Sequence, residues 1–169
     1  MAKKIIAVEL VKLEYADVPK AGLPSSWTEL ENVHEETFKY IEGEPTTDPY
    51  KDVKGRTYYN EVKEGDKHII ATIGRYDLET KAKLQGGTYT AANASSGAIW
   101  TPPDTPEVIY KAVKGTTKDN VSIIFPKAQV IANATENKKA IGQGVKFVPV
   151  TPDDPDLKSE IWNDNEKTA

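Results

Sequence analysis

The sequence contains no cysteine, and this absence removes several kinds of chemistry at once. Disulfide frameworks, thiolate zinc sites, iron–sulfur centres and cysteine nucleophiles all depend on that side chain. Histidine is scarce too, with two residues in 169. Sulfur chemistry is therefore excluded, and a histidine-rich metal site would have few ligands to draw on.

Long apolar runs are also missing. The charged start at Met1–Lys4 leads into the apolar run Ile5–Val8, but Glu9 interrupts that run too early for a signal peptide. No other stretch approaches the roughly 20 apolar residues of a membrane-spanning helix. We expect a soluble protein without membrane contact, made and kept in a cytoplasm.

The formal net charge of −4 resides at one end of the chain, because residues 153–169 carry six acidic side chains and two lysines. A neutral body with an acidic tail offers no basic surface for the phosphates of nucleic acids. This composition argues against sequence-specific binding of DNA or RNA. The length suits one core, so we expect a single β-rich domain at 1–152 and a solvated tail at 153–169.

Short runs of β-branched and aromatic residues, separated by Gly, Pro, Asn and Asp, predict a mainly β fold. The runs Thr57–Val62 and Lys67–Gly74 flank Glu64–Asp66, an arrangement typical of a hairpin. A turn is predicted at Gly115–Asn120. The other predicted strands span 4–18, 27–33, 36–41, 88–91, 107–113, 121–125, 127–132 and 145–150.

One short helix is predicted at about residues 77–85. Asp77 is a good N-cap, and Gly86 or Gly87 supplies the left-handed residue that ends a helix. About two turns cannot persist alone, so this helix must pack on the sheet.

The segment Glu42–Arg56 has two prolines, two glycines and no sustained hydrophobic period. A compact domain seldom keeps such a long structureless loop without a use for it. We interpret it as an arm that contacts another subunit, with these residues as its contact set: Glu44, Pro45, Thr46, Thr47, Asp48, Pro49, Tyr50, Lys51 and Asp52.

No local pattern predicts catalysis. His34 precedes two glutamates, but adjacent residues on a strand point to opposite faces and no third metal ligand is evident. His68 has no nucleophile or acid partner at a recognisable spacing. Gly142–Gly144 lacks the third glycine of a dinucleotide site, which favours turn glycines. We expect no enzyme activity, no metal and no cofactor.

Three tryptophans, Trp27, Trp100 and Trp162, admit two interpretations. They can anchor the core or an interface, which is the commoner use of this side chain. Alternatively, Trp27 or Trp100 on a concave face with carboxylates beside it would form a platform for sugars.

Four segments together resemble the major tail tube proteins of long-tailed bacteriophages, particularly those of Bacteroidetes-type phages and prophages. They are Val11–Leu30 with the motif LPSSWTEL, the arm Glu42–Arg56, Asp77–Thr90 with DLETKAKLQGGTYT, and Val121–Val150. Their order and spacing carry the resemblance, which covers most of the chain.

The resemblance implies a β-sandwich or flattened barrel with one short flanking helix and a long arm-like loop. It also implies a function: six copies would form a ring, and stacked rings would form the hollow tail tube through which the genome passes. The implied partners are the protein itself, the tape measure, tail tip and terminator proteins, and DNA in transit without specific binding. Its place would be the virion tail, assembled in the bacterial cytoplasm.

Two other classes remain open. The chain could be a different β-rich phage structural or adhesive module, although the missing signal peptide argues against a surface adhesin. A carbohydrate-binding or hydrolytic domain would need the exposed tryptophan platform described above.

Overall fold

A computed structural model describes residues 7–165, apart from the side chain of Asn137. The fold is mainly β, with one short helix, as the sequence predicts. The elements in chain order are β1 (Leu10–Ala16), β2 (Thr28–Glu29), β3 (Lys39–Glu42), β4 (Thr46–Lys51), β5 (Thr57–Lys63), β6 (Lys67–Ile73), α1 (Leu78–Gln85), β7 (Thr88–Thr90), β8 (Ile99–Thr101), β9 (Ile109–Thr117), β10 (Val121–Asn137), β11 (Ala140–Pro149) and β12 (Ile161–Asp164).

Eight of these strands form the main sheet, in the order β2-β1-β9-β10-β11-β6-β3, with β12 pairing onto β10. All pairings in this sheet are antiparallel. Two small two-stranded sheets, β4-β5 and β7-β8, lie outside it. The main sheet is the body of the protein, and the β4-β5 hairpin is an extension from it.

The longest strand, β10, organises the sheet. One side of β10 pairs with β9 along both halves, from Ser122 to Val130. Its other side pairs first with β12, at Val121–Ile124, and then with β11, at Ala128–Asn137. The register shifts between Phe125 and Ala128, around Pro126, because proline has no N–H to give to the ladder.

Alternation along the strands builds one hydrophobic core. The sequence assigns Ile69, Ala71 and Ile73 of β6 to one face, and all three are buried. Helix α1 adds Leu84, which is fully buried. The remaining core side chains come mainly from β1, β9, β10 and β11: Leu13, Tyr15, Leu30, Val113, Ile123, Phe125, Ala128, Val130, Val145 and Phe147.

Side chains connect two edge strands of the main sheet, β3 and β12. The rings of Tyr40 and Trp162 meet edge to face, with centroids 5.5 Å apart. The Tyr40 hydroxyl donates to Oε1 of Glu160 at 2.9 Å, and Lys67 Nζ lies 3.2 Å from Oε2 of the same carboxylate. Burial, followed by the hydrogen bond to Glu160, raises the pKa of Tyr40, so the phenol stays a donor. These contacts between β3 and β12, here called the seam, join parts of a body that is a β-sandwich or flattened barrel with one short helix.

The helix ends agree with the prediction. Asp77 is the N-cap, and its Oδ1 accepts from the backbone N–H of Thr80 at 2.6 Å. Gly86, at φ +81°, is the C-cap and donates its N–H to the carbonyl of Ala82. Gly87 has a different use: a Cβ there would lie 2.2 Å from the carbonyl oxygen of Thr101, so glycine allows β8 to approach.

The predicted pairing of Thr57–Val62 with Lys67–Gly74 is wrong. Strand β5 pairs with β4, whereas β6 lies between β11 and β3. The reason is burial: β6 has an apolar face that belongs in the core, and β5 has no buried residue. The segment predicted as a structureless arm is therefore half of a hairpin that continues to Lys63.

Other boundaries also change. Pro126 does not divide two strands, and β10 continues through it for 17 residues in all. Gly142 and Gly144 lie within β11 instead of in a turn. Glycine suits these strand positions because Cβ atoms there would crowd Thr72 and Thr135. The predicted turn at Gly115–Asn120 is shorter because β9 runs to Thr117. The first predicted strand begins at Leu10, and its residues 4–6 lie outside the described part.

The acidic segment 153–169, predicted as a solvated tail, contributes a strand. Residues Ile161–Asp164 form β12 and pair with the first half of β10. Earlier in this segment, Asp154 accepts from the backbone N–H of Gly22 at 2.8 Å, and Asp153 lies 2.8 Å from Lys127 Nζ. Residues 166–169 of the predicted tail lie outside the described residues.

A stability prediction concerns Gln143, which is fully buried on the core face of β11. Neither its Nε2 nor its Oε1 has a hydrogen-bond partner within residues 7–165. Because a buried unsatisfied amide costs about 1–3 kcal/mol, Gln143→Met should raise the free energy of unfolding by about 1–2 kcal/mol in urea titrations. Gln129→Met, at a partly exposed position of β10, is the control and should change little. A loss of stability in Gln143→Met would show that a buried water satisfies the amide.

Candidate assembly interface

The β4-β5 hairpin, here called the arm, lies outside the body. Its register pairs Thr46 with Lys63 and Tyr50 with Tyr59. Every residue of β4 is exposed, and so is every residue of β5 except Glu61. Among residues 7–165, no layer packs over the arm to support its strand pair. A single two-stranded hairpin is marginally stable in water at best.

Apolar side chains cover the arm. The exposed fractions are 47% for Tyr50, 58% for Tyr59, 71% for Tyr58 and 66% for Val62. Tyr50 and Tyr59 contact each other across the two strands, with ring centroids 5.7 Å apart. Large apolar side chains clustered on one exposed element are typical of a surface that binds another protein.

The tip of the arm has a defined turn. Oδ1 of Asp52 accepts from the backbone N–H groups of Lys54 and Arg56, both at 2.9 Å. Its Oδ2 lies 2.8 Å from the Arg56 guanidinium. The backbone hydrogen bond from Arg56, with the guanidinium contact, holds the pKa of Asp52 below its usual value. Gly55, at φ +78°, allows the turn, and Val53 projects fully exposed.

The base of the arm is fixed by two glycines. The Gly43 N–H donates to the carbonyl of Asp66 at 2.8 Å. A Cβ on Gly65 would lie 1.9 Å from the carbonyl oxygen of Gly43, so no other residue fits that position without backbone movement. Glu64–Asp66, predicted as a hairpin turn, is instead the place where the returning strand re-enters the body.

The arm residues predicted from the sequence lie before β4, within β4 and at the tip of the hairpin. Glu44 and Pro45 precede β4, Thr46 to Lys51 form it, and Asp52 builds the tip. Pro49 stands opposite Asn60 within the pair. The sequence interpretation missed Tyr58, Tyr59 and Val62, because a run of aromatic and β-branched residues is also typical of a core strand.

None of the three tryptophans belongs to the fully buried core. Trp162 is 44% exposed and contacts Tyr40 at the seam. Trp100 is partly buried and donates from Nε1 to the carbonyl of Gly86 at 2.9 Å, which connects β8 to the end of α1. Trp27 is partly exposed too, and Lys114 Nζ lies 4.8 Å from its ring centroid. They are therefore anchors between elements.

The Trp27 cleft bears on the sugar-binding alternative. It has a volume of about 370 Å³ and includes Glu14, whose carboxylate is 3.1 Å from Lys12 Nζ and 3.0 Å from Lys114 Nζ. Burial alone would raise the pKa of Glu14, but hydrogen bonds from Lys114 and Lys12 outweigh it and hold the pKa below its usual value. Among the described residues that line this cleft, the one carboxylate is thus already ion-paired.

The two histidines, His34 and His68, lie in different surroundings. Burial, followed by the charge of Lys146, lowers the pKa of His68. His34 is partly buried beside Gly74, and its Nε2 has no hydrogen-bond partner within the described chain. Among the described residues, no group of three carboxylates or imidazoles is placed to hold a metal ion.

No model of a known protein family matches the chain, and no curated protein matches it significantly. Among residues 7–165, no helix is long and apolar enough to cross a membrane.

The exposure of the arm predicts a pattern of hydrogen exchange in the dilute monomer. Amides of β4 and β5 should exchange much faster than those of the body, because opening a hairpin without a packed layer costs far less free energy than opening the core sheet. Amides of β6 and of β10 at Ala128–Val130 should be strongly protected. Mass spectrometry of peptides covering 46–63 and 67–73 measures both sets. Equal protection of the two peptides would show that the arm is packed against the body.

Proposed function

We propose that this protein is a structural subunit that assembles with copies of itself through the arm. The observation that carries the proposal is an exposed hairpin with tyrosine and valine side chains on its surface and no supporting layer from the described part of the chain. A partner copy that covers these side chains would supply the missing layer. The glycine contact at the base and the hydrogen-bonded turn at the tip hold the arm ready for that contact.

The resemblance to phage tail tube proteins makes the proposal more specific. We infer that six copies close into a ring and that stacked rings form the hollow tail tube of a long-tailed bacteriophage. The partners would then be tape measure, tail tip and terminator proteins, and the location would be the virion tail. The net charge of −4 suits a channel for DNA, because a wall that does not attract phosphates lets the genome slide. A structural role of this kind requires no catalysis.

A different β-rich phage structural module, the first alternative, would also assemble with copies of itself. Imaging distinguishes it from a tail tube subunit by the shape of the assembly. The purified protein at high concentration, imaged by negative-stain electron microscopy, should show hexagonal rings or hollow filaments. A protein that remains monomeric at all concentrations, by sedimentation velocity, would contradict self-assembly. Binding of oligosaccharides at the Trp27 cleft would instead favour the carbohydrate-binding alternative.

Removal of the arm gives the sharpest test. Replacing residues 44–65 with Asn-Gly would join Gly43 to Asp66 through a two-residue turn, since these residues already form a backbone hydrogen bond. We expect the variant to unfold cooperatively, with a free energy of unfolding within about 0.5 kcal/mol of the intact protein, and to form no rings or filaments. Circular dichroism and sedimentation velocity measure the two properties.

Cooperative unfolding and assembly can be lost separately in this variant. Loss of cooperative unfolding would show that the arm is part of the folding core. A variant that folds and still assembles would show that another surface makes the contact between copies.

A further inference from the structure

Besides the arm, the protein has a second exposed apolar surface, a groove in the body. It opens between α1 and the strands β9 and β10, with a volume of about 450 Å³. Val108 and Ile131 in its lining are 64% and 50% exposed. Its other apolar walls include Leu84, Pro103 and Pro106. Three other pockets are lined mainly by polar and charged residues. This groove is thus a concave apolar surface of the body.

The rim of the groove carries uncompensated negative charge. Glu107 lies against the C-terminal end of α1, since its Oε2 is 2.7 Å from the place a Cβ on Gly86 would take. That helix end bears a partial negative charge of its own. Glu107 forms no ion pair within residues 7–165. A cation from elsewhere would be stabilised here.

The tip of the arm has the complementary features. Val53 is fully exposed at its apex, so it does not fill the groove of its own chain. Of the three cations in residues 51–56, Arg56 neutralises Asp52. Lys51 and Lys54 form no ion pair among the described residues, which leaves the tip with a net charge of about +2.

We propose that the tip of the arm of one copy docks in this groove of a second copy. Val53 enters beside Val108 and Ile131, and Lys54 lies at the rim beside Glu107. The inference rests on the proposed self-assembly and adds the surface that receives the arm. Because the tip and the groove are different surfaces, each copy gives one contact and receives one. Such a contact closes a ring when the rotation between neighbouring copies allows it and otherwise continues as a filament.

Disulfide trapping tests the contact directly, since the natural chain has no cysteine to interfere. Val53→Cys and Val108→Cys are made as separate single variants, mixed under assembling conditions and oxidised. A disulfide forms only where two Cα atoms come within about 7 Å. We expect a covalent dimer on non-reducing gels from the mixture and little from either variant alone. Val53→Cys mixed with Ile141→Cys, on the similarly exposed β10-β11 hairpin, is the matched control.

Charge exchange tests the rim without a cross-link. Lys54→Glu and Glu107→Lys should each raise the concentration needed for half-maximal assembly about tenfold, because each places like charges together. The double variant Lys54→Glu with Glu107→Lys should recover most of the loss. Lys20→Glu, an exposed charge without a described ion pair, is the control and should assemble normally. Circular dichroism establishes that each variant is folded.

The outcomes separate the inference from the proposed function. If the natural protein assembles but Val53→Cys links to Ile141→Cys and not to Val108→Cys, the groove is wrong and self-assembly stands. The same conclusion follows if the natural protein assembles, no mixture cross-links and the double charge variant fails to recover. If the natural protein does not associate at all, both proposals are overturned.

Discussion

The structure depends on the ability of one strand to pair with three others. Strand β10 keeps β9 on one side along both halves, and on the other side it exchanges β12 for β11 at the bulge near Pro126. The sheet therefore divides at this bulge into a branch that holds β12 and a branch that holds β11, β6 and β3. The aromatic contact of Tyr40 with Trp162 joins the two branches again, at their edge strands β3 and β12. The interruption of the ladder at Pro126 thus lies where the sheet branches.

The closed body limits where another chain could add by strand pairing. Its terminal strands are short, with two residues in β2 and four each in β3 and β12, and short edges are poor templates for a further strand. The longer outer edges belong to the arm. Within the described chain, β5 pairs only with β4, and its seven residues contain no proline. The arm therefore combines apolar side chains with an available backbone edge, and both properties favour contact with another copy.

Local chemistry was readable from the sequence, and long-range pairing was not. Asp77 and Gly86 act within a few residues of themselves, so the helix and both of its caps were predicted correctly. The alternation of Ile69, Ala71 and Ile73 likewise identified a buried face without knowledge of its neighbours. The composition of 42–56 located the first strand and the tip of the arm, although it predicted a loop without regular structure. Its second strand was assigned to the wrong partner, because β5 and β6 are adjacent in sequence and only the burial of β6 decides against their pairing.

Two glycines meet requirements that come from distant parts of the fold. Gly65 and Gly87 look alike in sequence, each in a polar segment typical of a turn. Gly65 instead permits the backbone of Gly43 to pass at the base of the arm, and Gly87 permits the approach of Thr101 in β8. Each is required by a residue more than ten positions away, and no local pattern records that partner. Because the base of the arm depends on such a contact, its direction is set by the body. A hairpin held at its base and ordered at its tip loses less conformational entropy on binding than a free loop, which is the physical advantage of an arm over a flexible tail.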